Sequence, residues 1–445
     1  MASWQFPAEL ASWIAALAEL LDARVRHQLS LMFCGLLFAR GRRTVTNWLR
    51  AVGVRRHYEE HYYFLGSLGR KCESVAGGVL RLIAHQLPIG QRVLLALDDT
   101  PTKRYGPKVE GAGIHHNPTP GPAGQKFLYG HVWVTLAWLV RHPQWGTISL
   151  PLAARLYVRE QDMFLLRVLH GWIFRTKLEL AAMLLEWAAG WLKYLGKTVW
   201  VVADGAYAKR PFLQRAKAAC VTVVSRLRKD AALCSVPAAP RKGQRRRGRP
   251  RKYGAVRIDL AKRAGQSRSW QIEEFLLYGQ QVTKRFKTFL ATYRPAGGLI
   301  RVVLVKNDDG TWVAYFCTDP GASVVEILEA IADRSAIEQV FHDVKEVHGA
   351  GQQQLRNVWA NVAAWHLHLW TYTLVEVWSW RRSKSVLCDR SDSPWDDAAR
   401  RPSHADRCKA LRRQCVQTEF TRHATAGRWS RKIRAFVQRL AKRAA

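Results

Sequence analysis

Apolar positions along the chain recur first at helical spacing, then gather into continuous runs, and finally return to helical spacing. Residues 1–90 belong to the first regime. "AELASWIAALAELL" is amphipathic at the period of an α-helix, about 3.6 residues. "GRRTVTNWLRAVGV" predicts a short basic helix capped by Thr44 or Thr46. It has the look of the second half of a helix-turn-helix, a pattern that short basic helices share widely. The second regime opens with "RVLLALDDT", an apolar run that ends in two acids, as a strand buried on both faces would. "GHVWVTLAWLV" and "GTISLPLAARLYV" predict two more strands. "MFLLRVLHGWIFRTKLELAAMLLEWAAGWLKYLG" predicts helices ended by Gly196. "KTVWVVADGAY" is a fourth strand closing on an acid, "RPFLQRAKAA" a helix and "CVTVVSRLR" a fifth strand. Three strands followed by alternating helix and strand imply an α/β sheet covered by helices.

Past Arg228 the pattern breaks. "AAPRKGQRRRGRPRKYGAV" has the composition of a linker. "SWQIEEFLLYG", "FKTFLATYR", "LIRVVLVKN" and "TWVAYFCTD" then read as strands, with "NDDG" as the hairpin turn between the last two. Helical spacing returns in "VVEILEAI", preceded by Ser323 and Glu326 as a capping box. It continues in "IADRSAIEQVFHDVKE", where Ile337, Val340, Phe341 and Val344 make one apolar face. Arg334, Glu338 and Lys345 fall on a neighbouring face, the arrangement of a solvated charged flank with i,i+4 pairing or of a functional surface. "NVWANVAAWHLHLWTYTLVEVW" carries Asn361, His366, His368 and Glu376, which are costly in lipid, so it reads as a buried helix. The resulting division is 1–90 helical, 91–228 first part of an α/β core, 229–320 linker and β-rich insertion, 321–378 second part of the core, and 379–445 a basic helical tail.

Charge narrows the function. The 445 residues include 70 Lys and Arg against 34 Asp and Glu, a formal net charge of +36, while hydrophobic residues make up 48%. Such a chain folds around a core and favours a polyanion, most often nucleic acid. The N-terminus has no basic leader, and the eight cysteines include no C-x-x-C pair, as suits a reducing cytoplasm. His404, Cys408, Cys415 and His423 match no standard zinc spacing and read as ordinary helical residues.

Chemistry enters through the strand ends. Asp98 and Asp99 close one buried strand and Asp204 another. Joined by Glu338 from a later helix, these acids would repel one another, and a hard divalent cation is the usual relief. Two Mg²⁺ ions about 3.5–4 Å apart can activate a water or 3′-hydroxyl and stabilise the leaving oxygen of a phosphodiester. Neighbouring strand residues face opposite ways, so Asp98 and Asp99 are alternatives for the first position.

With Asp99, Asp204 and Glu338 in the order strand, strand, helix, the chain resembles the DDE transposases of bacterial insertion sequences. Arg334, Glu338 and Lys345 fit the Arg–Glu–Lys part of that group's Tyr–Arg–Glu–Lys signature, while Ile331 stands at the Tyr position. "LALDDTPTKRYGPKVEGAGIHHNP" and "RRPSHADRCKALRR" also look like its DDE superfamily endonuclease members. The resemblance implies an RNase H-like catalytic core interrupted by a β-rich insertion, with an N-terminal helical DNA-binding domain and a basic tail. It favours Asp99, which precedes Thr100, as the first acid. It implies Asp99, Asp204 and Glu338 as catalytic residues and ligands of two Mg²⁺ ions, with Mn²⁺ as a substitute, and Arg334 and Lys345 as DNA contacts. Implied partners are terminal inverted repeats and target DNA, bound by a homodimer associated with a bacterial nucleoid in the cytoplasm. Trp312 stands where related enzymes stack a flipped base, or serves the core. "RRRGRPRKYG" resembles an AT-hook, with Arg247, Arg249 and Arg251 in a narrow minor groove, or acts as a solvated linker. His115, His116, Gln352, Gln353, Gln354 and Arg356 are further candidate contacts. A DNA-binding regulator that no longer cuts, or a nuclease that does not transpose, would share many of these features.

Overall fold

A computed structural model describes residues 5–117, 124–238, 251–390, 393, 395–397, 399–423 and 433. Four helices come first: α1 (Ala8–Ala18), α2 (Arg26–Phe38), α3 (Val45–Ala51) and α4 (Tyr58–Gln86). Thr44 caps α3, its side chain accepting the Asn47 N–H. Strands β1 (Arg92–Lys103), β2 (Gly113–His116), β3 (Phe127–His142) and β4 (Gly146–Tyr157) follow, then α5 (Phe164–His170) and α6 (Lys177–Leu192). Next come β5 (Thr198–Ala203), α7 (Arg210–Ala218) and β6 (Val221–Leu227). β4, β3 and β1 run antiparallel, and β1, β5 and β6 run parallel, so the spatial order is β4-β3-β1-β5-β6. Three antiparallel strands joined to two parallel ones through the first is the RNase H-like arrangement that the sequence implied.

The insertion extends this sheet. β7 (Leu233–Cys234), β8 (Arg257–Ile258), α8 (Leu260–Gly265), β9 (Gln271–Leu277), β10 (Gln280–Tyr293), β11 (Gly298–Lys306) and β12 (Trp312–Cys317) lie between β6 and the next helix. β12 pairs antiparallel with β6, and β11 and β10 continue outward. The insertion thereby covers an edge that β6 would otherwise expose.

The chain then forms α9 (Val324–Asp333), α10 (Ser335–Glu346), α11 (Val358–Ser379), α12 (Lys384–Leu387) and α13 (His404–His423). The Ser323–Glu326 capping box is made in both directions. "IADRSAIEQVFHDVKE" holds a helix junction at Arg334, the C-cap of α9 and N-cap of α10. Ile337, Val340, Phe341 and Val344 are all buried, as their spacing predicted.

The sheet separates two hydrophobic clusters. Val93, Leu95 and Leu97 of β1 join the cluster that holds α4, α6 and α11. Ala96 joins the cluster on the other face, with Trp200, Val202, Ile337 and Phe341. α11 is buried along nearly its whole length, and α4 crosses it so closely that a Cβ on Gly69 would lie 1.9 Å from the Trp359 carbonyl oxygen. The N-terminal helices thus share their core with the sheet's covering helix. Among the described residues no helix is long and apolar enough to cross a membrane.

Candidate active site

Strand alternation assigns the two neighbouring acids to different faces. Asp98 follows the parity of Ala96, toward α9 and α10, whereas Asp99 follows that of Leu97, toward α6. The last β1–β5 register pair is Leu97 with Ala203, so Asp98 and Asp204 come next, side by side, where that parallel ladder ends. β1 itself continues to Lys103 against β3, so its two acids lie mid-strand and do not close it as the apolar run suggested. Asp204 has the parity of Val202 and so faces α10 as well.

Arg334 binds this group together. Its Nη1 donates to Asp98 Oδ2 at 2.6 Å and its Nη2 to Glu338 Oε1 at 3.0 Å. Burial works against the Arg334 charge, but Asp98, Glu338 and Asp204 outweigh it and hold the guanidinium above its ordinary pKa. Burial also pushes the Asp98 carboxyl up to about 6, although Arg334 and the Asp99 N–H pull the other way. Glu338 is mostly exposed, and Asp204 accepts a long 3.4 Å bond from the Ala206 N–H. The middle of β1, the end of β5 and one helix thus present three carboxylates to a single guanidinium, two through hydrogen bonds and Asp204 through its charge. Hard oxygen donors with an excess of negative charge fit a divalent cation.

Asp99, the residue favoured by the sequence, has other partners. Lys177 Nζ at the start of α6 donates to Oδ2 at 2.6 Å, and the Tyr207 hydroxyl donates to Oδ1 at 2.8 Å. Burial, then Asp99 itself, raise the Tyr207 pKa well above its usual value, so the phenol keeps the proton it donates. Both Asp99 oxygens are therefore committed on the face away from Glu338. Asp98 shares Arg334 with Glu338, whereas the side-chain hydrogen bonds of Asp99 go to Lys177 and Tyr207.

The remaining expected contacts divide. Lys345 Nζ donates to Thr100 Oγ1 at 2.6 Å, on the same face of β1 as Asp98, and burial lowers its pKa to about 8. Trp312 opens β12 at the sheet end that carries Asp204, but the Lys229 ammonium lies over its ring, 5.1 Å from the centroid. Arg251 is exposed, while Arg247 and Arg249 lie outside the described residues. His115 and His116 belong to β2; His115 is buried, which lowers its pKa to about 4 with help from Arg159 and Lys177. Gln353 is buried and bonds the Gly351 N–H, and Gln352 accepts the Arg43 N–H, so both serve the local backbone. Gln354 and Arg356 are exposed.

Sequence reading missed a basic rim. Gly205, Arg226, Leu227, Arg228, Lys229 and Asp230 line a depression beside Asp204, in which Arg226 and Lys229 are exposed. Their signal was the basic run directly after the fifth strand. Lys177 was also missed, since nothing near it in sequence is an acid of the site.

The family model described as DDE superfamily endonuclease matches residues 16–284, more than half of the chain. The chain belongs to this family. The match includes Asp98, Asp99 and Asp204 and ends before α10, so Glu338 rests on the fold alone. Among solved structures, the chain is similar to a piggyBac transposase in a cryo-EM synaptic complex with hairpin DNA. That similarity has a TM-score of 0.40 at 10% identity, over 97% of this chain and 82% of that one. No curated protein matches. As a DDE superfamily endonuclease, the protein has the three carboxylates from β1, the end of β5 and α10 as its candidate catalytic centre.

Proposed function

We propose that this endonuclease is a DNA transposase. It cuts at the ends of its own insertion sequence by Mg²⁺-dependent hydrolysis and joins the 3′-hydroxyls to target DNA in cut-and-paste fashion. Asp98, Asp204 and Glu338 hold two Mg²⁺ ions, with Mn²⁺ as a substitute, so Asp98 takes the place first expected of Asp99. When bound, such ions supply an activated water or 3′-hydroxyl and stabilise the leaving oxygen. The observation that carries the reading is the convergence of three carboxylates on Arg334.

The protein's own residues position the DNA. Arg334 restrains Asp98 and Glu338, and its fork-shaped guanidinium can exchange a carboxylate for a phosphate. Lys345, beside Asp98 on β1, and Arg226 and Lys229, in the depression beside Asp204, supply positive charge for the DNA backbone. Asp99 is a positioning residue that ties β1 to α6 and Tyr207. Trp312 offers a stacking face once Lys229 leaves it, and Arg247, Arg249 and Arg251 add minor-groove contacts. The substrates are terminal inverted repeats and target duplex, with a homodimer pairing two ends.

The test is cleavage of duplexes carrying the element's ends by the purified full chain with Mg²⁺. Wild type cuts, while Asp98→Asn, Asp204→Asn and Glu338→Gln fall to background yet still bind DNA. Metal-dependent cutting by Asp204→Asn defeats the proposal. Binding without any cutting by wild type assigns the chain to the DNA-binding regulators.

A further inference from the structure

A second cluster lies away from the carboxylates, where α13 meets the end of α10. His404 and Cys408 are one turn apart on α13, and His348 comes from the turn after α10; all three are buried. His348 Nε2 and His404 Nε2 face each other at 2.7 Å, and Cys408 Sγ lies 3.4 Å from His404 Nε2 and 4.0 Å from His348 Nε2. Two imidazole nitrogens at that separation need a proton or a cation between them. Cys408 is in no disulfide, so its sulfur can serve as a ligand.

The surroundings favour a metal ion. His404 Nδ1 lies 2.7 Å from Glu376 Oε1, and Arg407 Nη1 is 3.4 Å from the same carboxylate. A carboxylate on Nδ1 fixes the tautomer and turns the Nε2 lone pair toward the cluster, as in carboxylate–histidine–metal triads. Tyr372 stacks on the His404 ring with centroids 4.1 Å apart and holds its orientation. The fully buried His368 has no hydrogen-bond partner on either ring nitrogen among the described residues, and its ring centroid lies 6.5 Å from that of His348. Tetrahedral zinc sets N–N edges of about 3.3 Å and N–S edges of about 3.6 Å. The His404–Cys408 pair is already near that separation, while binding would part the two imidazoles from their 2.7 Å contact and draw Cys408 closer to His348.

We propose that His348, His404 and Cys408 bind one late first-row divalent ion of the zinc class, with His368 or a water as fourth ligand, and that this ion clamps α13 to α10 and α11. One imidazole–thiolate set suits zinc over magnesium, so the site is chemically distinct from the carboxylates. It tethers the basic tail to the helix that carries Glu338. The spacing within 404–423 hid it, because the third ligand is remote in sequence and neither Cys415 nor His423 is needed.

The test is metal analysis of the untagged full chain, grown with zinc present and dialysed against a weak chelator, with cobalt(II) substitution as a second readout. The expected result is about one ion per chain, and a thiolate-to-cobalt charge-transfer band after exchange. Both are lost in Cys408→Ser and His348→Ala and kept in Cys415→Ser and in the Asp98→Asn, Asp204→Asn double variant. A wild-type chain with no stoichiometric ion and no thiolate–cobalt band overturns the site, as does an ion retained by Cys408→Ser.

Discussion

At the residue scale, one peptide unit separates two acids with different roles. Asp98 and Asp99 are adjacent and chemically identical, yet one meets Arg334 and the other meets Lys177 and Tyr207. Asp98→Asn is therefore expected to abolish cleavage. Asp99→Asn keeps an amide that still accepts the Tyr207 hydroxyl, and is expected to retain measurable cleavage while weakening the β1–α6 tie; rate assays on both variants check this. The apolar runs stop at acids in both buried strands, but only β5 ends there; β1 continues to Lys103 because β3 supplies its hydrogen bonds. The sequence could not say which of Asp98 and Asp99 points toward Glu338, because that depends on which face of the sheet the later helix covers, and no local pattern records this. Lys345 carries a pH prediction. Its folded pKa of about 8 lies below the ordinary 10.5, so the unfolded chain holds more protons across that window and stability rises with pH through it. Lys345→Met is expected to stabilise the protein at pH 7 by roughly 2–3 kcal/mol. That advantage shrinks toward pH 10.5, as denaturant titrations at the two pH values would measure.

At the element scale, two packing devices hold the helices that present the site. The capping box on α9 satisfies the Glu326 and Ser323 N–H groups, and Ser323→Ala is expected to cost about 1 kcal/mol in urea denaturation. The α4–α11 crossing depends on Gly69, whose added Cβ would strike backbone that cannot turn aside. Gly69→Ala should cost about 1–3 kcal/mol and lower the melting temperature, where Gly66→Ala, with only Asn357 Oδ1 at 4.0 Å, should cost far less. The strands and most helices were legible because apolar runs and 3.6-residue periodicity are local. The break at Arg334 was not, since both flanks keep the same periodicity across it. β2 was hidden too, a four-residue strand in a Gly-rich stretch whose hydrogen bonds are supplied by β3.

At the scale of the whole molecule, the insertion and the core make one sheet, so Trp312 and the basic rim are carried to the same end as the acids. The charge of +36 should make DNA binding strongly salt-dependent, falling ~10³-fold or more between ~50 and ~200 mM salt if six or more phosphates are contacted. Fluorescence anisotropy across that range checks this, and a salt-insensitive affinity contradicts it. The charge was legible from composition alone. Its placement near the carboxylates came only with the fold, because Arg226, Lys229 and Lys345 are far from Asp98 in sequence.

The most direct measurement is anomalous diffraction from crystals of the full chain soaked in Mn²⁺. The account predicts manganese peaks among the carboxylates of Asp98, Asp204 and Glu338. A peak held by Asp99 on the α6 face, or none among these carboxylates under conditions that support cleavage, would contradict it.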